Sequence, residues 1–208
     1  MARNLRKFQN EAEYSAATLN YPAVSWVVNG EVHFDKAAPA TFGGLTVKYD
    51  IQDPTVEVTL FNGGGDSSSS SESASESGGG GALPATMIVD GAEETPINTW
   101  RFETAGEHIV QYTFEDNVVP QGFLDGINLA KEVIVGTDIV GLGSTAFNVI
   151  LTSATCLSTT PPYIGDISTF GGGAYSQIYP IYVPSSAVNT YKTASIWSDL
   201  ASRIEAIQ

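Results

Sequence analysis

Much of this chain alternates apolar with polar residues at a period of two, which is the pattern of β-strands that bury one face. The alternating stretches are bounded by Gly, Asp, Asn or Pro; they are LTVKYDI (45–51), TVEVTLF (55–61), TMIVDGAEET (86–95) and NTWRFETAGEHIVQYTFED (98–116). Short strands with regular turn signals predict a mainly β fold, with a small antiparallel β-sandwich over residues 39–116.

Two turn pairs predict β-hairpins. Asn29-Gly30 lies between VSWVV and EVHF, and Asp90-Gly91 lies inside TMIVDGAEET. Both pairs accept the positive φ angles of a two-residue type I′ turn. Because a two-stranded hairpin is only marginally stable alone, the first hairpin is expected to lie on another surface.

A short helix is predicted before the first hairpin. Asn10 and Glu13 have the spacing of a reciprocal N-terminal capping pair, and Pro22 cannot continue a helix that ends near Asn20. Residues 1–38 are therefore interpreted as a helix-and-hairpin segment whose expected role is attachment.

The segment NGGGDSSSSSESASESGGGGA, residues 62–82, is rich in Gly and Ser and offers almost nothing to bury. This composition is typical of a flexible acidic loop, which a sandwich tolerates because loop-closure costs grow slowly with length. Two interpretations stay open: a low-complexity insertion without a role, and a tether on the outer surface.

The last third of the chain contains an internal repeat of about two dozen residues, which runs from Phe123 to Phe147 and again from Phe147 to Phe170. The predicted matches, first unit before second, are Leu129 with Leu151, Val133 with Thr155, Val135 with Leu157, Leu142 with Ile164 and Gly143 with Gly165. Residues 117–208 are therefore predicted to form a short repeat module.

The segment LAKEVIVGTDIVGLGSTAF (129–147) resembles the BspA-type leucine-rich repeat, in which a strand and a turn recur. ATCLSTTPPYIG (154–165), followed by residues 181–207, is similar to the last repeat and C-terminal cap of that family. RFETAGEHIVQYTFED (101–116) is similar to the strand pair that often precedes the repeats. The resemblance covers roughly residues 86–208, with only about two repeats where the family has many, and it implies binding of glycan or protein.

A C-terminal helix is predicted to close this repeat module, because the end of a solenoid exposes an apolar face and unpaired strand edges. Ser185 or Ser186 is expected to begin the helix. Its covering stripe is expected to be Val188, Tyr191, Ile196, Trp197, Leu200, Ile204 and Ile207. Trp197 is interpreted as the centre of this cap.

The stretch LRKFQNEAEYSAATLNYPAVSWVVNGEVHF (5–34) is similar to the opening of structural proteins in tailed phages of gut Bacteroidetes, including the crAss-like group. This resemblance implies a part of a virion, such as a head fibre, a capsid decoration protein or a tail-associated protein.

The charge balance argues against a nucleic-acid-binding protein. The formal net charge of the 208 residues is −14, and no basic residue lies between Lys48 and Arg101. The basic residues Arg3, Arg6 and Lys7 are interpreted as a solvated end, with contact to an acidic partner as the alternative.

Cysteine content and hydropathy bear on the compartment. Cys156 is the only cysteine, so an intrachain disulfide is impossible. Neither a signal-peptide core nor a run of about 20 apolar residues is found. The sequence therefore predicts a protein made in a host cytoplasm, without membrane insertion.

GLGSTA (141–146) fits the dinucleotide-binding pattern G-x-G-x-x-A, but β-branched residues follow it instead of a helix. We interpret Gly141 and Gly143 as turn residues of the repeat. His33 and His108 lack a neighbouring Cys or His at ligand spacing, and both are interpreted as structural. Cys156 is expected to be a buried, inert thiol.

The acidic residues show no spacing that singles out a catalytic pair. The set around the predicted sandwich, interpreted as a solvated anionic face, is Asp90, Glu93, Glu94, Glu103, Glu107, Glu115 and Asp116. Asp50, Asp53 and Asp66 lack a calcium-loop pattern. No catalytic residue, cofactor site or metal site is predicted, and the chain is not expected to be an enzyme.

The sequence thus favours a structural virion protein of a tailed phage that acts through assembly contacts with capsid or tail proteins. Because a solenoid usually needs about three repeats, the exposed flank is expected to dock on the sandwich or on another copy, and a homodimer or homotrimer is predicted. The alternative is a surface adhesin that binds glycan or protein through the repeat region.

Overall fold

A computed structural model describes residues 25–28, 31–34, 42–63, 83–171 and 179–208. The fold is mainly β, as predicted. The chain divides into two compact units, residues 1–41 and residues 42–208. The predicted boundary between sandwich and repeat module, after residue 116, falls inside the second unit.

The described part of the first unit is a β-hairpin. Strand β1 (Ser25–Val28) pairs antiparallel with β2 (Glu31–Phe34), and Val28 lies opposite Glu31. This pairing leaves two residues for the turn and confirms the predicted hairpin. The helix predicted between Asn10 and Asn20 lies outside the described residues.

The second unit contains thirteen strands within the described residues. They are β3 (Leu45–Ile51), β4 (Val58–Thr59), β5 (Thr86–Val89), β6 (Ala92–Glu94), β7 (Thr99–Trp100), β8 (Gly106–Thr113), β9 (Val118–Val119), β10 (Ala130–Val135), β11 (Gly141–Leu142), β12 (Ser153–Cys156), β13 (Tyr163–Ile164), β14 (Ile181–Val183) and β15 (Ile204–Ala206). β5 and β6 are joined at Asp90 and Gly91, both with positive φ, which confirms the second predicted hairpin.

One eight-stranded sheet organises this unit, in the order β15-β14-β12-β10-β3-β8-β5-β6. β3, β8, β5 and β6 pair antiparallel in that order, whereas β10, β12, β14 and β15 run parallel. The two halves join where β10 pairs antiparallel with β3. The flank of the first repeat is therefore covered by a strand of the sandwich region, which is one of the two arrangements expected from the sequence.

The antiparallel half also packs against a second, two-stranded sheet formed by β4 and β7. The Tyr49 hydroxyl on β3 donates a hydrogen bond of 2.6 Å to the carbonyl of Leu60, the residue after β4. The ring of Phe61 packs edge-on against the ring of Tyr112, with 5.6 Å between the ring centroids. This part corresponds to the predicted antiparallel sandwich.

The parallel half is built from successive coils. Each coil places one short strand in a three-stranded parallel sheet, ordered β13-β11-β9, and the next strand in the eight-stranded sheet. The coils repeat at about two dozen residues, as predicted. Leu142 pairs with Ile164, which confirms that match between the two units.

The matches predicted for the longer strands were wrong by one position. Val133 lies opposite Ala154, not Thr155, and Val135 lies opposite Cys156, not Leu157. Ala154 and Cys156 are fully buried. A shift of one residue moves a strand's side chains to the other face, and the small Ala and Cys side chains gave a weaker apolar signal than Thr155 and Leu157.

The cap is helical, as predicted, but its parts differ from a single helix. A 3₁₀ turn (Ser185–Ala187) leads into α1 (Val188–Thr193), and a second 3₁₀ segment (Trp197–Arg203) precedes β15. The helical segment begins at Ser185, as expected, and neither α1 nor the first 3₁₀ turn has a side-chain hydrogen bond at its N-cap.

The predicted apolar stripe of the cap is buried or half-buried, with one exception. Trp197 is 1% exposed, and its indole N–H donates to the carbonyl of Pro162 at 2.8 Å, so Trp197 is the centre of the cap as predicted. Ile204 is buried in a strand instead of a helix. Ile207 is 40% exposed, which corrects its assignment to the covering stripe.

Candidate interaction surface

The eight-stranded sheet has an inner face that carries the core and an outer face that is partly exposed. Along one row of paired residues, the inner side chains are Val89, Val110, Val47, Val133, Ala154, Ile181 and Ile204. The neighbouring row on the outer face is Glu93, Ile88, Gln111, Thr46, Ile134, Thr155, Tyr182 and Glu205. This outer row crosses both halves of the sheet without interruption.

Ionic and hydroxyl contacts tie neighbouring strands together on the outer face. The Lys48 ammonium lies 3.0 Å from a carboxylate oxygen of Glu132 and 3.9 Å from one of Glu107. The hydroxyls of Thr86 and Thr113 are 2.7 Å apart. Because Glu107 is exposed and the Glu132 and Lys48 side chains are only half-buried, these ion pairs contribute little to stability, and the outer face remains acidic.

The two edges of the eight-stranded sheet differ in charge. β6 has the sequence Ala-Glu-Glu, and Glu93 is exposed. Charged residues on an edge strand oppose pairing with another chain. β15 carries one acid, Glu205, followed by exposed Ala206 and Ile207. The β15 edge is therefore the less protected of the two.

His108 is 7% exposed and holds the β5–β6 turn against β8. Its Nδ1 lies 2.7 Å from a carboxylate oxygen of Asp90, and its Nε2 lies 2.8 Å from the carbonyl of Thr104. The second carboxylate oxygen of Asp90 accepts the backbone N–H of Ile109. Both ring nitrogens and the carboxylate are thus engaged in structural bonds, which supports a structural role for His108. The sequence singled out Asp90 and His108 separately but not as a pair.

GLGSTA does not lead into a helix. Gly141 is part of strand β11, which corrects its interpretation as a turn residue, and turns follow before β12. A Cβ at Gly143 would lie 2.4 Å from the backbone nitrogen of Gln121, so close packing between coils requires glycine there. The geometry is that of a repeat turn and lacks the helix N-terminus that holds a pyrophosphate.

Cys156 is fully buried, as predicted. Burial raises the pKa of its thiol to about 12. The Tyr191 hydroxyl donates to the carbonyl of Ser158 at 3.0 Å, and burial raises its pKa as well. A thiol that stays protonated in an apolar interior is a poor nucleophile.

The side chain of Arg203 stabilises the last coil through hydrogen bonds to backbone carbonyls. Its Nε donates to the carbonyl of Tyr179 at 3.1 Å, and both of its Nη atoms donate to the carbonyl of Phe170 at 3.1 Å. The guanidinium carbon also lies 4.4 Å above the Tyr179 ring. Burial raises the pKa of Tyr179 to about 12, despite the nearby positive charge of Arg203. Sequence reasoning did not single out Arg203, because its partners are backbone carbonyls.

The acidic residues of the sandwich region lie mostly at the surface. Glu103, Glu107 and Glu115 are exposed. Asp53 accepts the backbone N–H and the hydroxyl of Thr55, and these bonds lower the pKa of its carboxyl. Within the ranges that the structure describes, no three His, Cys, Asp or Glu residues are grouped to hold a metal ion. Asp66 lies outside those ranges, and of His33 only the backbone is described.

A scan against protein-family models finds no family that matches this chain. A search of curated proteins finds none with significant similarity. In the part of the chain that the structure describes, no helix has both the length and the apolar character to cross a bilayer.

Proposed function

We propose that this protein is a structural component of a tailed-phage virion, acting through assembly contacts with capsid or tail proteins and with copies of itself. The observation that carries the proposal is that the two-stranded hairpin belongs to a compact unit of its own, residues 1–41, and not to the unit of residues 42–208. A hairpin of four residues per strand needs a further surface for stability, and a neighbouring virion protein supplies one.

Two further features support an assembly role over catalysis. The buried side chains of His108 and Tyr191 are engaged in hydrogen bonds that hold the fold together. The similarity of residues 5–34 to the opening of phage structural proteins points to the same class of protein. The BspA-type resemblance of the coils accounts for the module that this hairpin would attach to the particle.

The test is incorporation into particles. His33 pairs with Trp26 in the hairpin, so His33→Pro removes a backbone donor and breaks the pairing. His33→Thr keeps the donor and is the matched control, because Thr suits a strand. We expect the wild type and His33→Thr to be present in purified virions. We expect His33→Pro to be absent from them. Equal incorporation of the two variants would contradict attachment through the hairpin.

A surface adhesin is the second candidate, and the outer face of the parallel half favours it. Thr155, Tyr182 and Ile134 form a partly exposed band there that mixes hydroxyl and apolar groups. An adhesin would bind glycans or host proteins through this band. Binding of the full chain to a glycan array, abolished in Tyr182→Ala and retained in a variant of the opposite edge such as Glu93→Gln, would favour this function over assembly.

A further inference from the structure

Ala206 of β15 has an outward N–H and C=O that no described residue pairs with, whereas the N–H of Ile204 donates to the carbonyl of Ala201. β15 is the last strand at its end of the eight-stranded sheet. The N–H of Ile207 donates to the carbonyl of Val183 on β14 at 2.9 Å. Backbone groups of successive residues in a strand point to alternate sides, so the N–H and C=O of Ala206 point away from β14.

We propose that β15 pairs antiparallel with β15 of a second copy, about a two-fold axis that passes beside Ala206. The two Ala206 residues would exchange a pair of N–H···O=C bonds, as opposed residues do in an antiparallel ladder. In this register Glu205 of each copy lies opposite Ile207 of the other. The eight-stranded sheets of the two copies would join into one continuous sheet.

Charge selects this edge and this register. Glu205 is the one charged residue of β15, and in the two-fold register it does not lie opposite Glu205 of the other copy. The same symmetric pairing of β6 about Glu93 would bring two carboxylates into direct opposition, which is destabilising. β15 is therefore the edge at which a self-complementary contact costs no like-charge repulsion between opposed residues.

The side chains at β15 also suit a close approach of two strands. Ala206 is small and exposed, so it presents no bulk at the symmetry axis. Ile207 is 40% exposed, and pairing would cover it with the aliphatic stem of Glu205. In the same register, Ile204 of each copy lies opposite Gln208 of the other.

This inference rests on the self-association that the proposed function includes, and it assigns the surface that performs it. The full chain carries a net charge of −14, so two copies repel each other at long range. Salt screens that repulsion. The dissociation constant of the dimer is therefore expected to fall as NaCl is raised from about 20 to 200 mM.

Sedimentation velocity of the full chain at micromolar concentration tests the contact. Ala206→Pro removes the outward N–H and should give a monomer. Glu93→Pro is the same kind of change at the opposite edge and should leave the dimer intact. Circular dichroism and the melting temperature establish that each variant is folded. A wild type that stays monomeric at about 100 μM, or a dimer that persists in folded Ala206→Pro, would overturn the inference.

Charge variants test the register without a proline. Ile207→Glu places a carboxylate opposite Glu205 twice per dimer and should weaken the dimer roughly tenfold. Ile207→Lys places an opposite charge there and should strengthen it. Equal dissociation constants for the two variants would overturn the register. A dimer whose dissociation constant is unchanged in every β15 variant would refute this surface but not self-association itself. The proposed function is tested separately, by incorporation into virions.

Discussion

Val47 of β3 and Val133 of β10 lie directly opposite each other in antiparallel strands, and this pair joins the two halves of the eight-stranded sheet. Both side chains are fully buried. The coils therefore share one core with the antiparallel region, and the first coil obtains its cover from within the chain. Self-association is consequently not needed to cover that flank. We assign it to the other end of the coils, at the edge strand β15.

The first prediction concerns two tyrosines at the centre of the antiparallel half. Tyr49 donates its single hydroxyl proton to Leu60, so Tyr112, whose oxygen is 3.0 Å away, must donate to Tyr49. Tyr49→Phe leaves two buried partners unsatisfied and should lower the free energy of unfolding by about 2–3 kcal/mol. Tyr112→Phe removes only one donor and should cost about 1 kcal/mol.

Urea denaturation of the two phenylalanine variants measures the difference. An equal loss of stability in both, or a larger loss in Tyr112→Phe, would contradict this direction of the hydrogen bonds.

The second prediction concerns the cap. The Trp197 ring packs edge-on against the Tyr191 ring, with 4.8 Å between the ring centroids, and its centroid is 5.3 Å from that of Phe170. Trp197→Ala should cost about 3–5 kcal/mol because it leaves a cavity. Trp197→Phe keeps a ring but leaves the Pro162 carbonyl unpaired, and should cost about 1–3 kcal/mol. Thermal unfolding should rank wild type above Trp197→Phe and Trp197→Phe above Trp197→Ala; a cap that melts independently of the sheet would contradict the shared core.

The β5–β6 turn and the cap show how far the sequence determines the fold. Asp90-Gly91 and Trp197 were assigned correctly because a turn pair and a large apolar side chain act locally. Ile204 was assigned to a helix because its spacing from Leu200 fits a helix, and pairing with Ile181 on β14 overrides that local pattern.

Contacts between distant residues were the part that the sequence could not supply. The order of strands in the large sheet depends on β10 pairing with β3, which lies about 85 residues earlier in the chain; this separation leaves no local signal. The pair of Asp90 and His108 was missed for the same reason. The candidate surface at β15 depends on a strand that was assigned to a helix.

The third prediction concerns the thiol. Because burial raises the pKa of Cys156 to about 12, a thiol reagent at about pH 8 should react very slowly with the native protein and fully after denaturation in urea. Cys156→Ser serves as the blank for the assay. Rapid stoichiometric labelling of the folded chain would contradict the buried position of this strand.

The fourth prediction concerns alkaline pH. The pKa of Cys156 and that of Tyr179 are both raised to about 12 in the folded state, so the folded protein holds these protons more tightly than the unfolded chain. The stabilisation is complete below the unfolded pKa values and is lost as pH rises. The urea midpoint should therefore fall between pH about 9 and 12.

Cys156→Ala is the control for the alkaline effect. This variant lacks the thiol that ionises first, so its fall in stability should begin nearer to about pH 10, where an unfolded tyrosine ionises. A urea midpoint that stays constant from about pH 8 to 11 in the wild type would contradict the burial of these groups.

Localisation in the particle tests the central claim most directly. An epitope inserted between Ser73 and Ala74, within the Ser- and Gly-rich segment, allows gold labelling of purified virions for negative-stain imaging. An assembly protein is expected to place gold at regularly repeated positions on the head or the tail of intact particles. Particles free of the protein after gradient purification, with the chain recovered only from the soluble lysate, would contradict a structural role in the virion.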